Sequence, residues 1–91
     1  MSERHVVITV RGEVQGVSFR AEARDRANRL GLAGWVRNEA DGSLTIAVEG
    51  DAERVQKLSE WCRRGPELAR VTSVTVAEAP WQGLKDFVIR R

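Results

Sequence analysis

The stretch Val6-Val7-Ile8-Thr9-Val10-Arg11-Gly12-Glu13-Val14-Gln15-Gly16-Val17-Ser18-Phe19-Arg20 decides how the rest of the chain is read. Val6 to Val10 is β-branched throughout and predicts a strand, with Val6, Ile8 and Val10 on one face and Val7 and Thr9 on the other. Beyond the loop, Phe19, Ala23, Ala27 and Leu30 recur at helical spacing among charged residues. The stretch therefore leads from a strand, through a loop holding Gly12 and Gly16, into a helix N-terminus with Ser18 as its expected N-cap. The first N–H groups of a helix lack intrahelical partners, and the helix dipole adds positive charge there, so such a loop suits an anion. Arg20 falls in the first turn, where a cation costs roughly 0.3–1 kcal/mol against the dipole. A bound anion would remove that conflict. Geometry alone also leaves a plain connector open, since an arginine-rich chain places one in a first turn by chance and Gly16 can serve only a tight turn.

Outward from this stretch, the first strand is expected over Arg4–Arg11 and the first helix over Phe19–Leu30, stopped by Gly31. Leu32 to Asn38 reads as a second strand. Asp41-Gly42 signals a hairpin, and Leu44, Ile46 and Val48 alternate on the returning strand. Gly50-Asp51 opens a second helix with Val55, Leu58, Trp61 and Cys62 as its apolar stripe, and Gly65-Pro66 ends it. Val71 to Ala77 predicts a fourth strand with Val74 and Val76 inward, and Phe87-Val88-Ile89 a short last one after a turn at Pro80. The order β-α-β-β-α-β plus a terminal strand predicts an α+β fold, a ferredoxin-like sandwich with an antiparallel sheet and both helices on one face. Strands one and two should run parallel with strand three between them. Their C-terminal ends then share one edge, about 10 Å apart. The glycine loop leaves the first end, and Asn38 sits at the second.

Ninety-one residues, 42% hydrophobic and 31% charged, fit one globular domain over residues 1–91 with a single modest core. No apolar run approaches a membrane span and Met1-Ser2-Glu3-Arg4-His5 has no signal-peptide core, so a cytoplasmic protein without a membrane role is expected. The net charge is +2, and bases alternate with acids: Glu22 with Arg26, Asp25 with Arg29 and Glu53 with Lys57 stand at i, i+4. These are expected to be solvated helix faces rather than a nucleic-acid stripe. Cys62 is the only cysteine, which excludes an intramolecular disulfide; its place on an apolar stripe predicts a buried, inert thiol. His5 is the only histidine, so no His/Cys cluster is at hand for zinc, and a histidine triad would have to use a residue of the first strand.

The residues resemble the acylphosphatase family. Its first signature, Gly-x-Val-Gln-Gly-Val-x-Phe-Arg, is matched at every specified position by Gly12 through Arg20. The second is similar to Gly34-Trp35-Val36-Arg37-Asn38-x-x-x-Gly42, with Gly50 following. Gly65-Pro66-x-x-Ala69-x-Val71-x-x-Val74 and Phe87-x-Ile89-Arg90 resemble bacterial members, and departures are small, such as Leu44 where the family usually has valine.

The resemblance implies hydrolysis of the carboxyl–phosphate anhydride of a small acyl phosphate, releasing inorganic phosphate, without metal; no cofactor is expected, and with no large apolar patch in the sequence a monomer is the default expectation. It implies that Arg20 binds phosphate with the backbone amides of the loop Gln15, Gly16, Val17, Ser18, Phe19 and Arg20, and that Asn38 positions water. A carboxylate leaves readily, so no general acid is required. Other readings of the residues are simpler: turn chemistry for Asn38, loop and cap roles for Gln15 and Ser18, core packing for Phe19 and Trp35, solvation for Glu13 and Glu39. A non-catalytic phospho-ligand module or an RNA-binding domain of the same fold are the alternatives. The second needs aromatics on the sheet, where Val7, Thr9, Thr45 and Ala47 are expected. A P-loop is excluded because Val17-Ser18, not Lys followed by Ser or Thr, follows Gly16.

Overall fold

The β-branched run near the start of the chain builds the longest strand of a five-stranded sheet. Residues 2–91 are described by the computed structural model of the chain. In chain order they form β1 (Glu3–Glu13), α1 (Phe19–Arg29), β2 (Ala33–Asn38), β3 (Leu44–Asp51), α2 (Ala52–Cys62), β4 (Arg70–Glu78) and β5 (Phe87–Ile89). The sheet order is β4-β1-β3-β2-β5. Both β1 and β2 pair antiparallel with β3, so they run parallel to one another on either side of it, as expected.

One face of the sheet carries the core. Val6, Ile8 and Val10 of β1, Val36 of β2, and Leu44, Ile46 and Val48 of β3 pack against Phe19, Ala23 and Ala27 of α1 and Val55, Leu58 and Cys62 of α2. Helix α1 lies over β2 and β5, and α2 over β1 and β3. Cys62 is fully buried, and burial pushes its thiol up to about 12, which keeps it protonated and unreactive.

Four sequence expectations are corrected. The sheet is mixed rather than wholly antiparallel, because β5 pairs parallel with β2. Strand β4 ends beside the start of β1, at the end of the sheet where β2 also begins, so a chain that crosses directly enters β5 in the direction of β2. Gly50 and Asp51 remain in β3; Asp51 acts as N-cap of α2, its carboxylate accepting from Arg54 N at 3.2 Å. On β4, Val71 and Val74 pack on the core while Val76 is 40% exposed. The register jumps between Arg11↔Ser73 and Gly12↔Val71, a bulge that leaves Thr72 extra and returns Val71 and Val74 to one face; Val76 lies on the edge strand, which α2 barely covers. The expected i, i+4 pairs on the helices do not close among the described residues. Arg24 pairs with Asp25 at 3.2 Å, and Arg26 instead lies over the Trp61 ring, 4.7 Å from its centroid.

The helix-free face carries a buried polar pair that no local sequence pattern signals. His5 and Glu49 stand opposite one another in the β1–β3 ladder, with Nδ1 and Oε1 2.7 Å apart, both almost wholly buried. The segment 79–86 crosses above them: the Glu49 carboxylate accepts from the main-chain N–H of Gln82 at 2.9 Å and of Leu84. Burial raises the Glu49 pKa, but these amides and His5 outweigh it and hold the carboxyl below its usual value. Trp35, opposite Ala47 in register, lies on the same face, with the guanidinium carbons of Arg37 and Arg90 4.8 and 4.9 Å from its ring centroid. One aromatic therefore does occupy this face, on β2, a strand that the count over β1 and β3 passed over.

Candidate active site

The loop between β1 and α1 folds in a manner its glycine alone would not require. Gly16 has φ 75° and Ser18 φ 67°, the only non-glycine residue at positive φ among those described, while Val17 between them is not in that region. Alternation of left-handed and ordinary backbone turns successive N–H groups toward one side, a concavity that suits an anion. Ser18 occupies the N-cap position of α1 as expected, but its side chain makes no cap bond. Side-chain capping works from an extended backbone, which the left-handed conformation precludes. The first-turn N–H groups thus have no serine hydroxyl competing for them. Holding a non-glycine residue there costs roughly 1–3 kcal/mol, and such strain gathers at functional sites.

Packing fixes where the helix begins. Phe19 is 1% exposed and meets Trp61 edge-on, ring centroids 5.1 Å apart. Gly65, at φ 70°, makes room for it: a Cβ at this position would lie 2.5 Å from the Phe19 ring. Arg20 follows directly and is half-buried. Across the edge, Asn38 projects from the same face of β2 as the core residue Val36 and ends the strand opposite Leu44. Its Oδ1 is buried and without a hydrogen-bond partner. A buried polar atom left so costs roughly 1–3 kcal/mol, so a partner is wanted there.

These residues share one hollow of about 220 Å³. Gly16, Ser18, Arg20 and Asn38 provide its polar walls, and Val14, Phe19, Ala21 and Ile89 its apolar ones. Among the described residues no carboxylate lines it, which suits an anion. Ile89 was not singled out from the sequence as a site residue; the Phe87-x-Ile89 alternation was the available signal that it faces inward beside Phe87.

Of the loop residues expected to bind phosphate, Gln15 and Val17 are not among these walls. Val17 packs on the core. The Gln15 side-chain amide donates to the carbonyl oxygens of Glu39 at 2.8 Å and Ser43 at 3.0 Å, tying the loop to the β2–β3 hairpin. That hairpin is itself braced. Asp41 accepts from Ser43 N at 2.9 Å and Ser43 Oγ at 2.6 Å, and these bonds lower its pKa to about 2. Glu39 is paired with Arg37 at 2.8 Å rather than simply solvated, and that bond holds its pKa down. Among the described residues no group of three or more His, Cys, Asp or Glu could hold a metal ion, and no helix is long and apolar enough to cross a membrane.

Sheet order, helix placement and this edge define a ferredoxin-like α+β protein with a glycine loop and an arginine set opposite an asparagine. The acylphosphatase family model matches residues 6–89. The chain is 52% identical to an acylphosphatase of Anaeromyxobacter sp. over 91 residues, covering 99% of this chain and 96% of that one. It is 51% identical to an acylphosphatase of Pseudomonas paraeruginosa over 82 residues, 90% of each chain. The crystal structure of acylphosphatase from Bacillus subtilis superposes with a TM-score of 0.93 at 34% identity, covering 99% of this chain and all of that one (100%). The chain belongs to the acylphosphatase family, and its activity is the hydrolysis of acyl phosphates to carboxylate and inorganic phosphate.

Proposed function

We propose that residues 1–91 act as one catalytic unit in which Arg20 and the main-chain N–H groups of the Gln15–Arg20 loop hold the phosphoryl group while Asn38 positions the attacking water. The observation that carries this reading is the hollow that Arg20 and Asn38 line together. Phosphoryl transfer passes through a loose transition state with charge spread over the equatorial oxygens, so positioning and cationic clamping supply most of the catalysis. A planar guanidinium offers two parallel N–H donors to such oxygens, and preformed N–H groups need no reorganisation.

The Asn38 side-chain amide hydrogen-bonds the water and holds its oxygen in line with the anhydride P–O bond. As the new O–P bond forms, that bond breaks and its electron pair leaves with the carboxylate. The carboxylate needs no proton at neutral pH, so a general acid is superfluous. The water's proton passes to a phosphoryl oxygen, since the hollow holds no carboxylate or histidine to take it. The enzyme works on small acyl phosphates as a cytoplasmic monomer, without metal, cofactor, membrane or nucleic acid.

The test is benzoyl phosphate hydrolysis with excess chelator, comparing wild type, Arg20→Gln and Asn38→Ala, with inorganic phosphate as competitor. Arg20→Gln is expected to lose both phosphate affinity and rate. Asn38→Ala should lose rate by roughly 10²–10³-fold while phosphate still competes. Wild-type turnover by Arg20→Gln would remove the clamp, and wild-type turnover by Asn38→Ala would remove the positioned water.

A further inference from the structure

A second hollow, of about 250 Å³, is lined by residues of α1, Leu30 and α2 and shares none with the catalytic hollow. Its floor is apolar, with Leu58 fully buried and Leu30 and Trp61 half-buried. Its rim is cationic: Arg26, Arg29 and Lys57 all line it. None of the three makes an ion pair among the described residues, although Glu22, Asp25 and Glu53 stand one helical turn before them in sequence. Asp25 is turned to Arg24, and Glu60 accepts instead from Gln56. The Arg26 guanidinium is laid over Trp61, an arrangement that orders it while leaving its N–H edge free for a planar acceptor.

Three cations without carboxylate partners above an apolar floor are complementary to one kind of ligand. We propose that this hollow binds a small organic carboxylate, with its aryl or alkyl body on Leu30, Leu58 and Trp61 and its charge between Arg26, Arg29 and Lys57. A neutral ligand would leave the cations facing one another; a bare inorganic anion would leave the apolar floor wet. The volume is below the roughly 300–1,000 Å³ of drug-sized sites, which limits the occupant to a small molecule. Trp61 also packs on Phe19, a wall of the catalytic hollow, so the two sites adjoin through these rings.

The experiment is a ¹H–¹⁵N NMR titration of the full chain with benzoate, with benzyl alcohol as the uncharged control. Benzoate is expected to produce saturable shifts at the Leu30 and Leu58 amides and the Trp61 indole, scored apart from any at Gly16, Ser18 and Asn38. Benzyl alcohol should bind there at least tenfold more weakly. The double variant Arg29→Glu, Lys57→Glu should weaken benzoate at the helix site at least tenfold while hydrolysing benzoyl phosphate as wild type does. The neutral pair Arg29→Gln, Lys57→Gln replaces it if charge reversal disturbs folding by circular dichroism. Shifts confined to the catalytic loop, equal shifts with benzyl alcohol, or undiminished binding by the variants would overturn the proposal.

Discussion

The side-chain amide of Gln15 donates to the main-chain carbonyl of Glu39 at 2.8 Å, joining the glycine loop to the residue that follows Asn38. A second bond from the same nitrogen, to Ser43 at 3.0 Å, closes the tie on the far side of the turn. Loop and strand end come from separate segments of chain, so this one side chain links the arginine-bearing and asparagine-bearing halves of the site.

Gln15→Ala should therefore act through position. Losing two hydrogen bonds is expected to lower stability by about 1–2 kcal/mol. Misplacement of the water relative to the phosphoryl group should lower kcat by about 10-fold or more, while phosphate inhibition stays close to wild type. Steady-state kinetics with benzoyl phosphate and a urea titration check both. An unchanged kcat would mean that the tie has no catalytic role.

Asn38→Ala is expected to separate stability from activity in the opposite sense. Asn38 Oδ1 has no hydrogen bond to lose and its removal deletes a buried unpartnered polar atom, so unfolding free energy should not fall below that of wild type. A large loss of stability would show that Asn38 supports the fold rather than the reaction.

Ser18→Gly should relieve the left-handed strain at φ 67°. The relief of roughly 1–2 kcal/mol is partly offset by glycine's greater backbone entropy, leaving a gain of about 0.5–1 kcal/mol. The freer loop is expected to bind phosphate less tightly, because its N–H groups are no longer held in place before binding. A paired measurement of melting temperature and phosphate inhibition tests this: lower stability in the glycine variant would show that Ser18 is not strained.

Glu49 should govern acid stability. Its carboxyl is held below the ordinary 4.5, so its contribution is complete above that pH and is lost as pH falls through the lower folded value. Urea midpoints of wild type are expected to drop below pH 4.5 more steeply than those of Glu49→Gln. At neutral pH, Glu49→Ala should cost about 3 kcal/mol, because His5 and two amides lose their shared acceptor. Parallel acid profiles for wild type and Glu49→Gln would assign the transition to other carboxylates.

Much of the molecule was legible locally. The alternation of Val6, Ile8 and Val10, the Asp41-Gly42 turn and the helical recurrence of Phe19, Ala23 and Ala27 are short-range patterns, since side-chain direction repeats every two residues in a strand and about every 3.6 in a helix. From those elements and their order, the meeting of Arg20 and Asn38 at one edge could be anticipated, because a strand–helix–strand crossover places like ends together. The motif residues Gly12 to Arg20 and Gly34 to Gly42 carry the family resemblance in the sequence itself.

What the tertiary structure alone decided depends on partners distant in sequence. Gln15 leaves the hollow for Glu39 and Ser43 because folding sets the hairpin beside the loop. Ser18 fails as a side-chain cap because its backbone is left-handed, and the residue after it, Phe19, packs edge-on against Trp61, forty-odd residues on. Arg26 abandons Glu22 for the Trp61 ring on the other helix. Glu49, an unremarked acid on a strand, becomes buried once residues 79–86 cross over it and bring two amides as donors. Sequence pattern specifies which face a side chain takes; only the folded chain specifies what it finds there.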